Sequence, residues 1–165
     1  YFSGTASHNT VQFDGRDQMP RISRFLFGDW LRASIFEPLT QDQTITRFAV
    51  GYRDRFGCSH KRSISLAQSS LRVIDMVAGF DRTAVLRWRL APGEWFLDQA
   101  VEGLRVTKAS GTAITLTVKA DVPIARCKLV EGWESRHYHE KTPLTVLEIE
   151  ILAPGNMTTE VHWTV

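Results

Sequence analysis

The stretch Leu144-Thr145-Val146-Leu147-Glu148-Ile149-Glu150-Ile151-Leu152 sets Leu147, Ile149 and Ile151 against Glu148 and Glu150. Successive side chains of an extended chain point to opposite faces, so this alternation is that of a strand with one apolar and one wet face. The same period of two recurs upstream. Ile45, Arg47 and Ala49 alternate with Thr46, Phe48 and Val50, and Ile114, Leu116 and Val118 alternate with Thr115, Thr117 and Lys119. It appears again at Val161, Trp163 and Val165. In Val85-Leu86-Arg87-Trp88-Arg89-Leu90, Leu86, Trp88 and Leu90 share one face, as in a core strand.

Turn chemistry punctuates these runs at Asp14-Gly15, Gly28-Asp29, Gly57, Gly79-Phe80-Asp81, Pro92-Gly93, Ser110-Gly111 and Pro154-Gly155-Asn156. Glycine and the Asx residues tolerate the backbone angles of tight turns, so this rhythm predicts about 10–12 short strands. No segment keeps a 3.6-residue period between caps for long, so helix should be scarce. The expected fold is all-β, an antiparallel two-sheet sandwich.

The chain has 165 residues, which fits one domain over 1–165, and no repeat or Ser/Pro/Gly-rich linker divides it. Hydrophobic residues make up 43% and charged residues 23%, a globular composition. Twenty Lys and Arg stand against eighteen Asp and Glu, a net charge of +2 that gives nucleic acid no strong field to follow. No apolar run approaches the roughly 18 residues of a membrane helix. No GxGxxG, P-loop, GxSxG or HExxH pattern is present, so nucleotide cofactors and serine-hydrolase or zinc-protease chemistry have no support. Cys58 and Cys127 have no close CxxC partner, which argues against a thiolate zinc site and leaves open one disulfide between them. The start, Tyr1-Phe2-Ser3-Gly4, shows neither an initiator Met nor a signal-peptide pattern, so the chain is expected to be part of a larger multidomain protein.

The first eighteen residues contain His8-Asn9-Thr10-Val11-Gln12-Phe13-Asp14-Gly15-Arg16-Asp17-Gln18 after an aromatic-bearing approach. This segment resembles the heparinase II/III-like polysaccharide lyases, which carry a His-Asn/Ser-Thr-Val strand followed by Asp-Gly and a Gln. Ser59-His60-Lys61-Arg62, Leu71-Arg72-Val73-Ile74-Asp75 and Gly132-Trp133-Glu134-Ser135-Arg136-His137-Tyr138 follow in the family's order.

The resemblance implies a parent in which an N-terminal α-helical toroid packs on β-sandwich domains around a saccharide cleft. It implies β-elimination on uronic-acid polysaccharides such as heparan sulfate or alginate, with catalytic Asn, Tyr and His contributed mainly from outside this chain. It also implies zinc in the intact parent, held by an upstream HxH-type His, an Asp on the next strand and the His of the motif. His8 occupies that last position. Two expected ligands are absent here, so the site in this fragment should be empty or half-built. The fragment alone is expected to be inactive. A periplasmic or secreted parent is favoured over a cytoplasmic one.

Among individual residues, Asn9 either fixes its loop or faces substrate. Trp133, in the Gly-Trp-Glu-Ser stretch, is the exposed aromatic expected to meet a sugar ring, whereas most other Trp should be core. Tyr138 is the catalytic candidate, loosely matched because His139 stands where the family has Gly. His137 and His139 flank it in a polar run ending at Pro143, which a solvated loop explains. Asp14 is accounted for by its Asp-Gly turn, and Arg24, Arg32 and Arg47 by ordinary surface positions. Two further readings compete, a non-catalytic carbohydrate-binding module and a structural domain, and exposed strand edges would permit a homodimer.

Overall fold

A computed structural model describes residues 2–100, 103–111 and 113–164. Among these described residues, one short 3-10 turn, Thr5–Ser7, precedes twelve strands. These are β1 (Val11–Phe13), β2 (Arg32–Gln41), β3 (Thr46–Arg53), β4 (Ser59–Leu66), β5 (Ser70–Ala78) and β6 (Ala84–Arg89). They continue as β7 (Trp95–Ala100), β8 (Gly103–Lys108), β9 (Ile114–Ala120), β10 (Ile124–Glu134), β11 (Thr142–Ile151) and β12 (Gly155–Trp163). The all-β reading holds, and the strand count falls inside the expected range. Val165, read as the end of the last strand, lies outside the described residues.

The strands form two antiparallel sheets of unequal width. The small sheet runs β1-β6-β11-β10 and the large one β2-β3-β4-β5-β12-β9-β8-β7. Their facing sides make the core. Leu86, Leu147, Ile149 and Ile151 come from the small sheet, and Val77, Val106, Val118 and Met157 from the large one. The alternation in β11 is realised as read, because Leu147, Ile149 and Ile151 are wholly buried. Glu148 and Glu150 lie on the other face and bind Arg126, whose Nη1 is 2.8 Å from Glu148 Oε2 and Nη2 2.7 Å from Glu150 Oε2. Trp88 also points inward as expected, and its Nε1 donates to the buried Thr159 Oγ1 across the sandwich at 3.0 Å.

Asp14 and Gly15 both have positive φ, and the turn they make closes with the Arg16 N–H donating to Phe13 O at 2.9 Å. The Asp14 carboxylate ties this turn to the β5–β6 connection by accepting from the main-chain N–H groups of Asp81 (3.2 Å), Arg82 (2.7 Å) and Thr83 (3.0 Å). The large sheet ends at β2, all ten of whose residues are exposed. That edge contains Pro38, which lacks a donor, and its pairing with β3 is irregular between Ile35 and Glu37 and between Glu37 and Thr40. Both features disfavour edge-to-edge pairing with another strand.

The open question of a disulfide is settled against it, since both thiols are free. Cys58 precedes β4 in the large sheet and donates to Gly79 O at 3.3 Å, while Cys127 lies on β10 of the small sheet. Trp133 departs from expectation. It is the penultimate residue of β10 rather than part of an exposed loop, because β10 stays in register with β11 through Trp133↔Pro143 and Glu134↔Thr142. The loop begins only at Ser135.

Candidate functional site

The motif segment does not form a strand at His8 or Asn9. His8 follows the 3-10 turn, donating its N–H to Thr5 O at 3.1 Å, and β1 starts at Val11. His8 and Asn9 are both exposed. Asn9 Oδ1 accepts the Arg89 N–H at 2.7 Å and Asn9 O accepts from Arg62 Nη1 at 2.6 Å, so this residue fixes the approach to β1.

Beneath it the sheet gathers polar residues that the sequence had placed apart. His60 and Arg62 are two positions apart on β4 and therefore share a face. The register sets Tyr52 of β3 opposite His60, and Asp75 of β5 opposite Arg62. Arg62 grips Asp75 with Nε to Oδ1 at 2.7 Å and Nη2 to Oδ2 at 3.1 Å, and His60 Nε2 meets Asp75 Oδ1 at 2.6 Å. Asp75 is 0% exposed. Burial pushes its pKa up, but the His60 and Arg62 hydrogen bonds and the Arg62 charge outweigh this and hold it below the usual carboxylate value. An isolated buried carboxylate would be costly, so the Arg62 pairing is what allows the charge to sit there.

Gln18, reaching over from the loop after β1, completes the arrangement. Its Nε2 donates to Tyr52 Oη at 2.7 Å and lies 2.9 Å from Thr10 Oγ1. Tyr52 Oη in turn donates to Val11 O at 3.4 Å, and burial pushes its pKa up. Gln18 and Tyr52 thereby occupy Val11 O on the outer edge of β1. Beside them lies an open cavity of about 490 Å³ whose walls include Gln18, Ile35, Val50, Tyr52, His60 and Arg62.

The other sequence candidates sit on the β10–β11 hairpin of the opposite sheet. Trp133 is half-buried, with Lys141 Nζ 3.8 Å from its ring centroid. Tyr138 is 90% exposed at the tip, its ring 4.1 Å from that of His139. The loop reading of this run is correct. One residue links the two regions, because Arg89, which donates its main-chain N–H to Asn9, also donates from Nη2 to Trp133 O. The sequence reading named Gln18 only as the end of the motif, passed over Tyr52, and gave His60, Arg62 and Asp75 no role beyond segments in the family's order. The i, i+2 spacing of His60 and Arg62 was the available signal, but their partners became visible only through strand register.

Zinc can be tested against the donors themselves. Among the described residues no three His, Cys, Asp or Glu side chains converge on a point that could hold a metal ion. The described residues therefore do not by themselves supply the ligand set of a zinc site.

The sequence matches the family described as heparinase II/III-like, C-terminal, over residues 1–164. Similar solved structures include a heparinase III described as the BT4657 gene product, with TM-score 0.77 and 14% identity over 98% of this chain and 24% of that one. Another heparinase III has TM-score 0.77 and 13% identity over 99% of this chain and 24% of that one. Heparan sulfate lyase HepC from Pedobacter heparinus has TM-score 0.70 and 16% identity over 94% of this chain and 24% of that one. The chain thus spans about a quarter of the length of these structures, and at such identities the likeness shows a shared fold. No curated protein sequence matches it. With the HNT segment, the two-sheet sandwich and a match across almost every residue, the chain belongs to the heparinase II/III-like family, whose C-terminal region it represents.

Proposed function

We propose that this chain is the β-sandwich part of a longer lyase that cleaves acidic, uronate-containing polysaccharides by β-elimination, and that it forms one wall of the cleft. The family match over residues 1–164 carries this reading. β-Elimination needs the sugar carboxylate neutralised, a base for the acidified C5 proton and an acid for the leaving oxygen. Within this chain the candidates for such work are dispersed. His8 is exposed just before β1, at one edge of the small sheet, and Tyr138 is at the tip of the β10–β11 hairpin at the other edge of that sheet. The chemistry is therefore completed by residues beyond this chain, and the domain alone is inactive. Asn9 holds the motif in place, His8 contributes a single donor to any metal held there, and Trp133 lies along the same wall.

A non-catalytic carbohydrate-binding module is the second reading, favoured by the apolar-walled cavity next to Tyr52 and His60. The two are separated by incubating the full-length polypeptide, its His8→Ala variant and this domain with heparan sulfate and alginate, following the ultraviolet absorbance of unsaturated uronate. Absorbance rising with the full-length protein and falling away in the variant supports the lyase wall. No rise on any uronate polymer, with retained polymer binding, gives the module.

A further inference from the structure

We infer that β10 is the edge on which two copies of this chain pair. A second β10 adds antiparallel about a two-fold axis at Val130, joining two four-stranded sheets into one. Main-chain hydrogen-bond directions and charge point there, and neither depends on the lyase reading above.

Among the described residues the sheets end on β1, β10, β2 and β7. β2 contains Pro38 and pairs irregularly with β3, and the free side of β1 is closed by Gln18 and Tyr52 on Val11 O. β7 has six residues. β10 has eleven, contains no proline, and stays in unbroken register with β11 from Arg126 to Glu134. Such an edge presents a row of unpaired N–H and C=O groups to any strand that matches it.

Two hydrogen bonds of the neighbouring strands fix which groups these are. The Leu90 N–H donates to Thr145 O, so Thr145 turns toward β6, and its partner Glu131 turns away from β11. The Arg87 N–H donates to Thr10 O on the β1 side, so its partner Glu148 turns toward β10 and bonds Lys128. Both give the same phase. Arg126, Lys128 and Val130 face β11, whereas Cys127, Leu129 and Glu131 direct N–H and C=O outward, and no other hydrogen bond among the described residues takes them. Open cavities of about 700 and 460 Å³ adjoin the strand, the first lined by Ala125 and Cys127 and the second by Leu129, Val130 and Glu131. They leave space beside both halves of β10.

Charge selects the partner and the register. The first half of β10 carries Arg126 and Lys128, the second Glu131 and Glu134. Antiparallel pairing with a second copy lays each half against its opposite. Centred on Val130, it sets Arg126 opposite Glu134 of the other copy, with Lys128 diagonal to the same carboxylate, twice by symmetry. Leu129 and Glu131 then exchange main-chain hydrogen bonds with Glu131 and Leu129 of the other copy. A centre at Lys128 or at Glu131 would put like charges opposite each other, and a centre at Leu129 would put Arg126 opposite Gly132. The like-charge approach that remains is the diagonal between the two exposed Glu131 side chains. Arg126 already binds Glu148 and Glu150, and Glu134 already has Arg136 at 3.0 Å, so the gain is modest and the dimer should be weak.

The test is sedimentation velocity of this chain up to about 1 mM, a range suited to a short edge contact. A monomer–dimer equilibrium is expected. Val130→Cys should form a disulfide-linked dimer under mild oxidation, because the Cα atoms of such a central pair stand about 4.5 Å apart, within disulfide reach. The unmodified chain, whose Cys127 would stand opposite Trp133, should not link. Glu131→Pro removes an outward N–H without touching the β10–β11 ladder, so it should keep the amides of Ile149 and Ile151 in place and abolish dimerisation. Glu134→Lys should weaken the dimer about tenfold. A monomer at every concentration overturns the proposal, as does a dimer that survives Glu131→Pro in a folded chain or that Val130→Cys fails to link.

Discussion

Arg62 Nη1 donates to the main-chain oxygen of Asn9 at 2.6 Å while the rest of the same guanidinium clasps the buried carboxylate of Asp75. One side chain therefore joins the interior of the large sheet to the segment that carries the family motif. Asn9 is held from the other side by the Arg89 N–H, so its position is set by β4 and β6 together.

Arg62→Met should strand the Asp75 charge and release Asn9 O. Breaking one side of a buried pair costs about 3–5 kcal/mol, and denaturant unfolding should show a loss of that size. Amide exchange at Thr10 and Arg89 should accelerate well beyond that of Ile149. The double variant Arg62→Met, Asp75→Leu should recover part of the loss, because no uncompensated charge remains. Equal losses in the single and double variants would show that the loss does not come from the stranded Asp75 charge.

Acid should destabilise the fold through specific carboxylates. Asp14, Asp75 and Glu148 are each pushed up by burial, yet their hydrogen bonds and cationic neighbours bring the net pKa below the ordinary 3.8 for Asp and 4.5 for Glu. A carboxyl group with a depressed folded pKa favours the native state above its unfolded pKa, and that contribution is lost as pH falls through the folded value. Stability should thus be flat above about pH 5 and decline below it. Asp14→Asn should lower stability at neutral pH and make the decline shallower, as read from urea midpoints across the range.

Gly79 and Gly111 both have positive φ, +80° and +86°, but different surroundings. A Cβ at Gly79 would stand 2.5 Å from Gly57 O, whereas at Gly111 it would meet only Lys108 Nζ at 3.8 Å. Gly111→Ala should cost about 1–2 kcal/mol from backbone strain alone. Gly79→Ala should cost more, because a main-chain oxygen has to move. Thermal unfolding of the two variants side by side reads the clash as their difference.

The cysteines should be inert. Burial pushes the Cys127 thiol up to about 11 and raises that of Cys58 as well, so little reactive thiolate exists at neutral pH. Alkylation of the native chain should be slow for both, becoming rapid in denaturant, and a reductant should leave the unfolding midpoint unchanged. Rapid labelling of the native protein would contradict this placement.

The sequence by itself determined the strands. In β11 the alternation of Leu147, Ile149 and Ile151 with Glu148 and Glu150 places each residue on its face, and Asp14-Gly15 specifies its own turn. Such features are set by neighbours a few positions away, through the period of two and local backbone preference. The motif around His8 likewise pointed to the family without reference to any contact. Trp133 escaped because a Gly-Trp-Glu-Ser stretch has the composition of a loop, and only pairing with Pro143 keeps it in a strand. The network of Gln18, Tyr52, His60, Arg62 and Asp75 was decided by tertiary structure alone. Its members are drawn from one loop and three strands, and strand register places side chains distant in sequence within hydrogen-bond reach. That register is fixed by which faces can be buried together, a property of the whole sandwich that no local pattern contains.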